Sequence, residues 1–409
     1  MKKELFQSKK VYVFLLILIV LAGFRNSACA TKELSIKTID KCLNRALVSA
    51  KLMSASLAQS PALLPRSADK NGKLTTSAPE WWTSGFYPGE LWYLYDYSRS
   101  SELKNLAIQY SNLLENQKYV TDNHDIGFML YCSFGNGLRL TNDTRYKEIL
   151  TTAAQSLMKR YNPTVGLIRS WDFNKNIWQY PVIIDNMMNL ELLFWAARET
   201  NDARMYQAAI SHADKTMQHH FRPDYSCWHV VSYDTVSGLP HIKQTHQGLN
   251  DSSSWARGQA WALYSYTMVY RETREKRFLD QANHVAKYIM THPSIPTDKV
   301  PLWDFNALAD APRDASSAAL IASSLIELAG FVPEKRSSYL KFAEQQLLSL
   351  SSRKYSTEPG TNANFILKHS VGNYPAGYEI DAPLSYADYY YVEALIRYRN
   401  ILICCKKQL

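Results

Sequence analysis

Leu140-Thr141-Asn142-Asp143 joins two stretches of apolar periodicity, and the same joint recurs as Glu199-Thr200-Asn201-Asp202 and as Glu272-Thr273-Arg274-Glu275. A joint this short turns the chain back on itself, so the helices on either side are antiparallel neighbours. In each, a Thr, Asn or Asp can accept a bond from the free N–H groups that open the following helix. Outward from these joints, apolar residues recur at helical spacing through most of the chain, and strand-like alternation is confined to short pieces. The spacing predicts twelve helices, at 33–58, 88–98, 102–117, 126–140, 143–160, 186–200, 203–220, 255–272, 276–291, 314–329, 335–352 and 384–403.

The connections between them alternate in length. Short ones fall near 99–101, 141–142, 201–202, 273–275 and 330–334, and long ones near 59–87, 118–125, 161–185, 221–254, 292–313 and 353–383. This gives five helical hairpins, with the first and last helices left to pair as a sixth. All the long loops then emerge on one face. Hairpins stacked in a line would need capping repeats at both ends, whereas a closed ring has no ends to cap. The expected fold is therefore all-α, an (α/α)6 barrel of six hairpins with its active site on the long-loop face. No Pro-, Gly- or Ser-rich linker divides residues 31–409, which read as one domain.

The first thirty residues read as an address. Lys2, Lys3, Lys9 and Lys10 precede an apolar run from Val11 to Ala22, and Ala28-Cys29-Ala30 places small residues where a signal peptidase cuts. The run is shorter than the roughly 20 residues of a membrane span. A signal peptide over 1–30 implies a periplasmic or secreted protein with no stable membrane insertion after cleavage. A lipid anchor on Cys29 fits less well, because Asn26 stands where a lipoprotein signal carries Leu.

Without those thirty residues, which hold five Lys/Arg and one Glu, the formal charge falls from +9 to +5. The surplus is spread out and does not mix with aromatics into a nucleic-acid surface. Cys42, Cys132, Cys227, Cys404 and Cys405 lack metal-ligand spacing. Their odd number leaves at least one free thiol. His212, His219 and His220 share a helix without a carboxylate at ligand distance in sequence, so no metal site is expected there.

Polar and aromatic residues gather instead in or just after the long loops: Trp82, His124, Asp125, Trp171, Asp185, His229, Gln247, Arg257, Trp261 and His369. Ring closure would set them on one rim as a cleft for a sugar chain. Ten Trp and 27 Tyr agree with sugar binding, since an aromatic face covers the C–H face of a pyranose. Trp92, Tyr95, Trp195 and Tyr264 lie on helical spacing and read as core. Asp125 and Asp185 each end a long loop, where an Asp is often only a helix cap. Two carboxylates on one rim could also hold different protonation states for acid–base work on a sugar. Asp304 and Asp314, near Trp303 and Arg313, read as an internal ion pair that fixes their loop.

Longer segments carry a resemblance. Trp82-Thr83-Ser84-Gly85-Phe86-Tyr87-Pro88-Gly89, His124-Asp125-Ile126-Gly127-Phe128-Met129, Ile184-Asp185-Asn186-Met187-Met188-Asn189-Leu190, Ser254-Trp255-Ala256-Arg257-Gly258-Gln259-Ala260-Trp261, Pro301-Leu302-Trp303-Asp304 and Tyr386-Ala387-Asp388-Tyr389-Tyr390 occur in order. Together they resemble the unsaturated glucuronyl hydrolases of glycoside hydrolase family 88. The resemblance implies the same barrel and a substrate with a C4=C5 double bond, left on a terminal uronic acid by a polysaccharide lyase. It implies hydration of that bond without a metal or organic cofactor, with Asp185 as general acid and base and Asp125 as the second essential carboxylate. It also implies that Trp82 and Trp171 stack on the unsaturated ring, that His229 and Gln247 surround it, and that His124, Arg257, Trp261 and His369 line the pocket. Two other readings stay open on sequence alone. One is a related hydrolase of unsaturated galacturonyl–rhamnose units from pectin; the other is a non-catalytic glycan-binding protein in which both Asp residues are caps.

Overall fold

In a computed structural model the described residues are 33–407, so the expected signal peptide and Cys29 lie outside them. Twelve α-helices are present among those residues. They are α1 (Ile36–Leu57), α2 (Phe86–Ser98), α3 (Ser101–Asn112), α4 (Asn136–Thr141, led by a π-helix over Gly127–Gly135), α5 (Thr144–Met158), α6 (Leu190–Thr200, led by a 3-10 turn over Ile184–Asn189), α7 (Ala203–His219), α8 (Ala256–Thr273), α9 (Lys276–Thr291), α10 (Ala315–Leu328), α11 (Arg336–Leu350) and α12 (Ser385–Lys407).

Even-numbered helices make an inner ring. Each packs on the next, α2 on α4, then α6, α8, α10 and α12, and α12 packs back on α2. The odd-numbered helices lie outside, each against its hairpin partner, with α12 also meeting α1. Composition explains the division. In α9 the buried residues Phe278, Gln281, Ala282, Val285, Ala286 and Ile289 form one stripe, as an outer helix requires. In α10, Ala315 to Ile326 are buried without a break, and their Ala and Ser side chains let backbones approach from every side.

The short joints turn alike. Arg99, Asn142, Asn201 and Arg274 each end an inner helix with φ between 55° and 59°, the left-handed conformation that stops a helix. Asp143 and Asp202 then cap the outer helices by accepting from Arg145 N and Arg204 N. Thr141, Thr200 and Thr273 instead bond back to carbonyls four residues earlier, at 2.7–2.8 Å.

The long loops carry short antiparallel strands: β1 (Leu64–Ala68) with β2 (Leu74–Ser77), β3 (Tyr161–Asn162) with β4 (Leu167–Ile168), and β8 (Ser370–Asn373) with β9 (Tyr378–Ala382). A three-stranded sheet β5-β6-β7 (Pro181–Ile183, Val230–Tyr233, Pro240–Gln244) ties the loop before α6 to the loop before α8. Its register pairs Ile183 with Val230 and Val230 with Gln244. No helix among the described residues is long and apolar enough to cross a membrane. Cys42, Cys132, Cys227, Cys404 and Cys405 are all free.

Candidate active site

The β5–β6 register builds the centre of the site. Asp185 stands two residues after Ile183, and His229 one residue before Val230, so pairing these strands sets the two side by side. The Ile184 amide donates to the His229 carbonyl at 3.0 Å. Asp185 Oδ2 then lies 3.6 Å from His229 Nε2, with the Asp185 side chain one-tenth exposed. His229 Nδ1 accepts the backbone N–H groups of both His246 and Gln247, each at 3.1 Å. A ring nitrogen that accepts carries no proton, so the His229 proton is on Nε2 and faces Asp185. Burial, reinforced by His246 and Arg257, keeps this imidazole neutral.

Asp125 enters from the next inner helix, just before the π-helix. Its carboxylate is one-fifth exposed and lies 3.3 Å from His124 Nε2. Gly127 and Asn189 set the spacing of the two segments, because the Phe128 amide donates to Asn189 Oδ1 at 2.9 Å and a Cβ at 127 would lie 2.6 Å from that oxygen. Irregular helical hydrogen bonding of this kind is frequent beside functional groups.

Neither carboxylate caps a helix, so the cap-only reading of Asp125 and Asp185 does not describe this structure. Burial lifts the Asp125 carboxyl to about 8, with the Asp185 charge adding to it and Arg160 opposing. Burial likewise lifts Asp185 to about 7, opposed by Arg257, by its own amide and by the Trp261 indole N–H. That indole approaches without completing a hydrogen bond. The two acids therefore titrate as an interacting pair near neutral pH. Burial beside Arg160 pushes His124 down to about 3, so it too is neutral.

Around this pair the expected residues fall into distinct places. Trp261 is fully buried and meets Phe128, ring centroids 5.0 Å apart. Trp82 is half-buried against Phe128 and Tyr386, at 5.6 and 5.1 Å. Gln247 Nε2 donates to the Gly372 carbonyl at 3.1 Å, reaching across to β8. Trp171 is nine-tenths buried, and Phe173 lies parallel on it at 4.7 Å. One face of Trp171 is thereby covered.

Two of the expected residues also have structural partners. Arg257 is buried, and its guanidinium donates to the Val371 carbonyl and, at 2.5 Å, to that of Gly372. It also pairs with Asp314 at 3.4 Å. It is an anchor for the β8–β9 hairpin and a positive charge felt by Asp185, with both terminal nitrogens already engaged. His369 meets Asp381 at 2.6 Å and Tyr355 ring to ring at 5.9 Å.

The predicted ion pair among Asp304, Asp314 and Arg313 is not formed. Asp314 caps α10 through Ser316 N and pairs with Arg257. Asp304 accepts from Leu249 N and Ser253 Oγ, and Arg313 pairs with Asp298 at 3.3 Å. Residues adjacent in an extended loop point to opposite sides, so sequence neighbours took different partners.

Sequence reasoning passed over Arg160, which binds Asp172 and the Thr121 and Arg169 carbonyls while placing its charge by Asp125. It also passed over Phe173, Trp178 and His246, although the density of aromatics from Trp171 to Tyr180 was a signal. Phe128, Trp261 and Tyr390 pack together under the site. A separate cavity of about 560 Å³ runs between the inner helices, lined by Tyr93, Tyr131, Trp195, Tyr264, Arg271 and Glu393 among others. Neither carboxylate of the pair lines it. Among the described residues no group of three or more His, Cys, Asp or Glu is gathered as a metal ion would need.

Comparison with known proteins places this geometry. An unsaturated glucuronyl hydrolase of Formosa agariphila is 49% identical over 325 residues, 79% of this chain and 81% of that protein. An unsaturated chondroitin disaccharide hydrolase of Streptococcus pneumoniae is 33% identical, over 78% of this chain and 81% of that protein. The crystal structure of an unsaturated glucuronyl hydrolase specific for heparin matches with a TM-score of 0.88 at 48% identity, covering 90% of this chain and 99% of that one. The pattern of Glycosyl Hydrolase Family 88 spans residues 60–400. With ring, paired acids and sequence in agreement over that length, the chain is an enzyme belonging to Glycosyl Hydrolase Family 88.

Proposed function

We propose that this enzyme removes the 4,5-unsaturated uronic acid from the non-reducing end of lyase-made glycosaminoglycan disaccharides by hydrating the C4=C5 bond. The observation that carries the reading is the buried pair, Asp185 at about 7 and Asp125 at about 8, brought from two inner helices to one place. A carboxyl still protonated near neutral pH can give a proton to carbon, then as a carboxylate take one from water. Asp185 protonates C4, and water adds at C5 as Asp185 recovers its proton. The resulting hemiketal opens and releases the remaining sugar. His229 faces its N–H toward Oδ2 from 3.6 Å, too far for a hydrogen bond. Asp125 supplies the second carboxyl, and Trp82 walls the space for the ring.

The identity to a heparin-specific enzyme exceeds that to the chondroitin disaccharide hydrolase, which favours heparin-derived disaccharides. The basic and apolar start of the sequence supports export to the periplasm or medium. The test is a panel of unsaturated disaccharides from heparin, hyaluronan and chondroitin sulfates, each beside its hydrogenated counterpart. Loss of the double bond's ultraviolet absorbance with sugar release from the unsaturated forms alone is the expected result. Equal release from the hydrogenated forms would refute hydration.

A further inference from the structure

Trp171 is held on several sides at once. Trp178 packs on it at 5.5 Å and His246 at 5.6 Å, while Phe173 covers a face in near-parallel stacking, 14° between planes. Trp178 is itself fixed by donating to Gln244 Oε1 at 2.9 Å. The outermost ring, Phe173, is 47% exposed. Its edge contact to Trp178 (6.4 Å, 71°) and tilted contact to His246 (5.9 Å, 50°) further limit its tilt. The cluster is continuous with the carboxylate pair, because Trp171 meets the His229 ring at 6.5 Å and the His246 amide donates to His229 Nδ1.

We propose that the solvent-facing side of Phe173 is a stacking platform for the sugar on the leaving-group side of the uronyl ring. Resting on the hydrolase reading above, this moves the stacking role in this loop outward, from Trp171 to the ring that covers it. A pyranose presents an apolar C–H face that a flat aromatic covers well, and a ring already fixed by its neighbours loses little freedom on binding. Phe173 has no polar group, so it reads the apolar face of that sugar and not the configuration of its hydroxyls. Asp125, Asp185 and His229 remain responsible for the uronyl ring itself.

Three substrates separate the roles: the methyl glycoside of the unsaturated uronic acid, the lyase-made disaccharide and the corresponding tetrasaccharide. Phe173→Ala should raise KM for the disaccharide or tetrasaccharide roughly threefold to tenfold more than for the methyl glycoside. Phe173→Tyr, which keeps the flat face, should restore it. Disaccharide affinity for Asp185→Asn, followed by tryptophan fluorescence, should drop by the same factor when Phe173→Ala is added. That binding measurement stands apart from turnover: a wild-type chain that consumes no unsaturated substrate would refute the hydrolase reading, not the platform. An equal KM change for all three substrates, or unchanged affinity in the fluorescence titration, would overturn the platform.

Discussion

His229 presents its Nε2 proton to Asp185 Oδ2 at 3.6 Å, and two backbone amides on Nδ1 leave the ring no other neutral tautomer. The consequence falls on Asp185. Its Oδ2 is faced by an N–H that stops short of a hydrogen bond, which leaves both carboxyl oxygens open to carry the exchanged proton. Replacing Asp185 by Asn keeps the size and the acceptor oxygen and removes only the exchangeable proton. Turnover of an unsaturated disaccharide should fall by about 10²–10⁴, with an unchanged circular dichroism spectrum. Near-normal rates in the folded variant would remove Asp185 from the chemistry.

The pH dependence follows from the raised carboxyls. Asp185 must be protonated to act on C4, so kcat/KM should fall as pH rises through about 7. Stability has the same sign. Both acids hold their protons more tightly folded than unfolded, so the folded state carries extra protons between about pH 4 and pH 8, and stability is lost as pH rises through that window. Asp185→Asn should therefore stabilise the chain, by about 1–3 kcal/mol at pH 8 and much less at pH 5. Thermal melts of both proteins at the two pH values check it; an equal difference at both would contradict the assignment.

Arg257→Met tests the anchor. The change strips the partner from Asp314, whose side chain is wholly buried, and frees the Val371 and Gly372 carbonyls. Breaking a buried pair on one side costs about 3–5 kcal/mol, to be read from denaturant unfolding. The double variant Arg257→Met with Asp314→Asn should recover part of that loss. A rim cation that only greets an anionic substrate would instead change KM and leave stability alone.

Gly127→Ala probes how the two acids are spaced. The added Cβ would meet Asn189 at 2.6 Å from Oδ1 and 2.8 Å from Cα, where neither backbone can yield cheaply. Overpacking costs about 1–3 kcal/mol. A shift of Asp125 relative to Asp185 by even a fraction of an ångström should cut kcat by about tenfold or more. Unchanged kcat would show that this contact does not set the spacing.

Much of the barrel was legible because its joints are local. A Thr-Asn-Asp turn can be read within four residues, and every one of the twelve predicted helices has its counterpart, with ends displaced by a few residues. The π-helix over Gly127–Gly135 was read as ordinary helix, since its bonding depends on what packs against it from α2 and from Asn189. The Asp185–His229 contact was reachable only as a shared rim. Its actual cause is the pairing of Ile183 with Val230, two strands of three and four residues too short to leave a pattern. Arg257 read as a cation near substrate because nothing in its neighbours announces the carbonyls of residues 371 and 372. His369 was placed by likeness alone, and its backbone, at φ 65°, turns the ring toward Asp381.

Inner helices all run from the long-loop face to the short-joint face, and outer helices run back. The end of α12 and the start of α1 therefore arrive together, and Arg399 Nε binds Asp40 Oδ1 at 2.6 Å across them. The sixth hairpin lacks only its covalent turn. A short flexible linker from the end of α12 to Ile36, with new termini cut at the exposed Asn201, would give a circular permutant in which each helix keeps its neighbours. Such a rearranged chain should fold to the same barrel and hydrate the same sugar, so the order of the hairpins along the gene is a matter of ancestry, not of architecture.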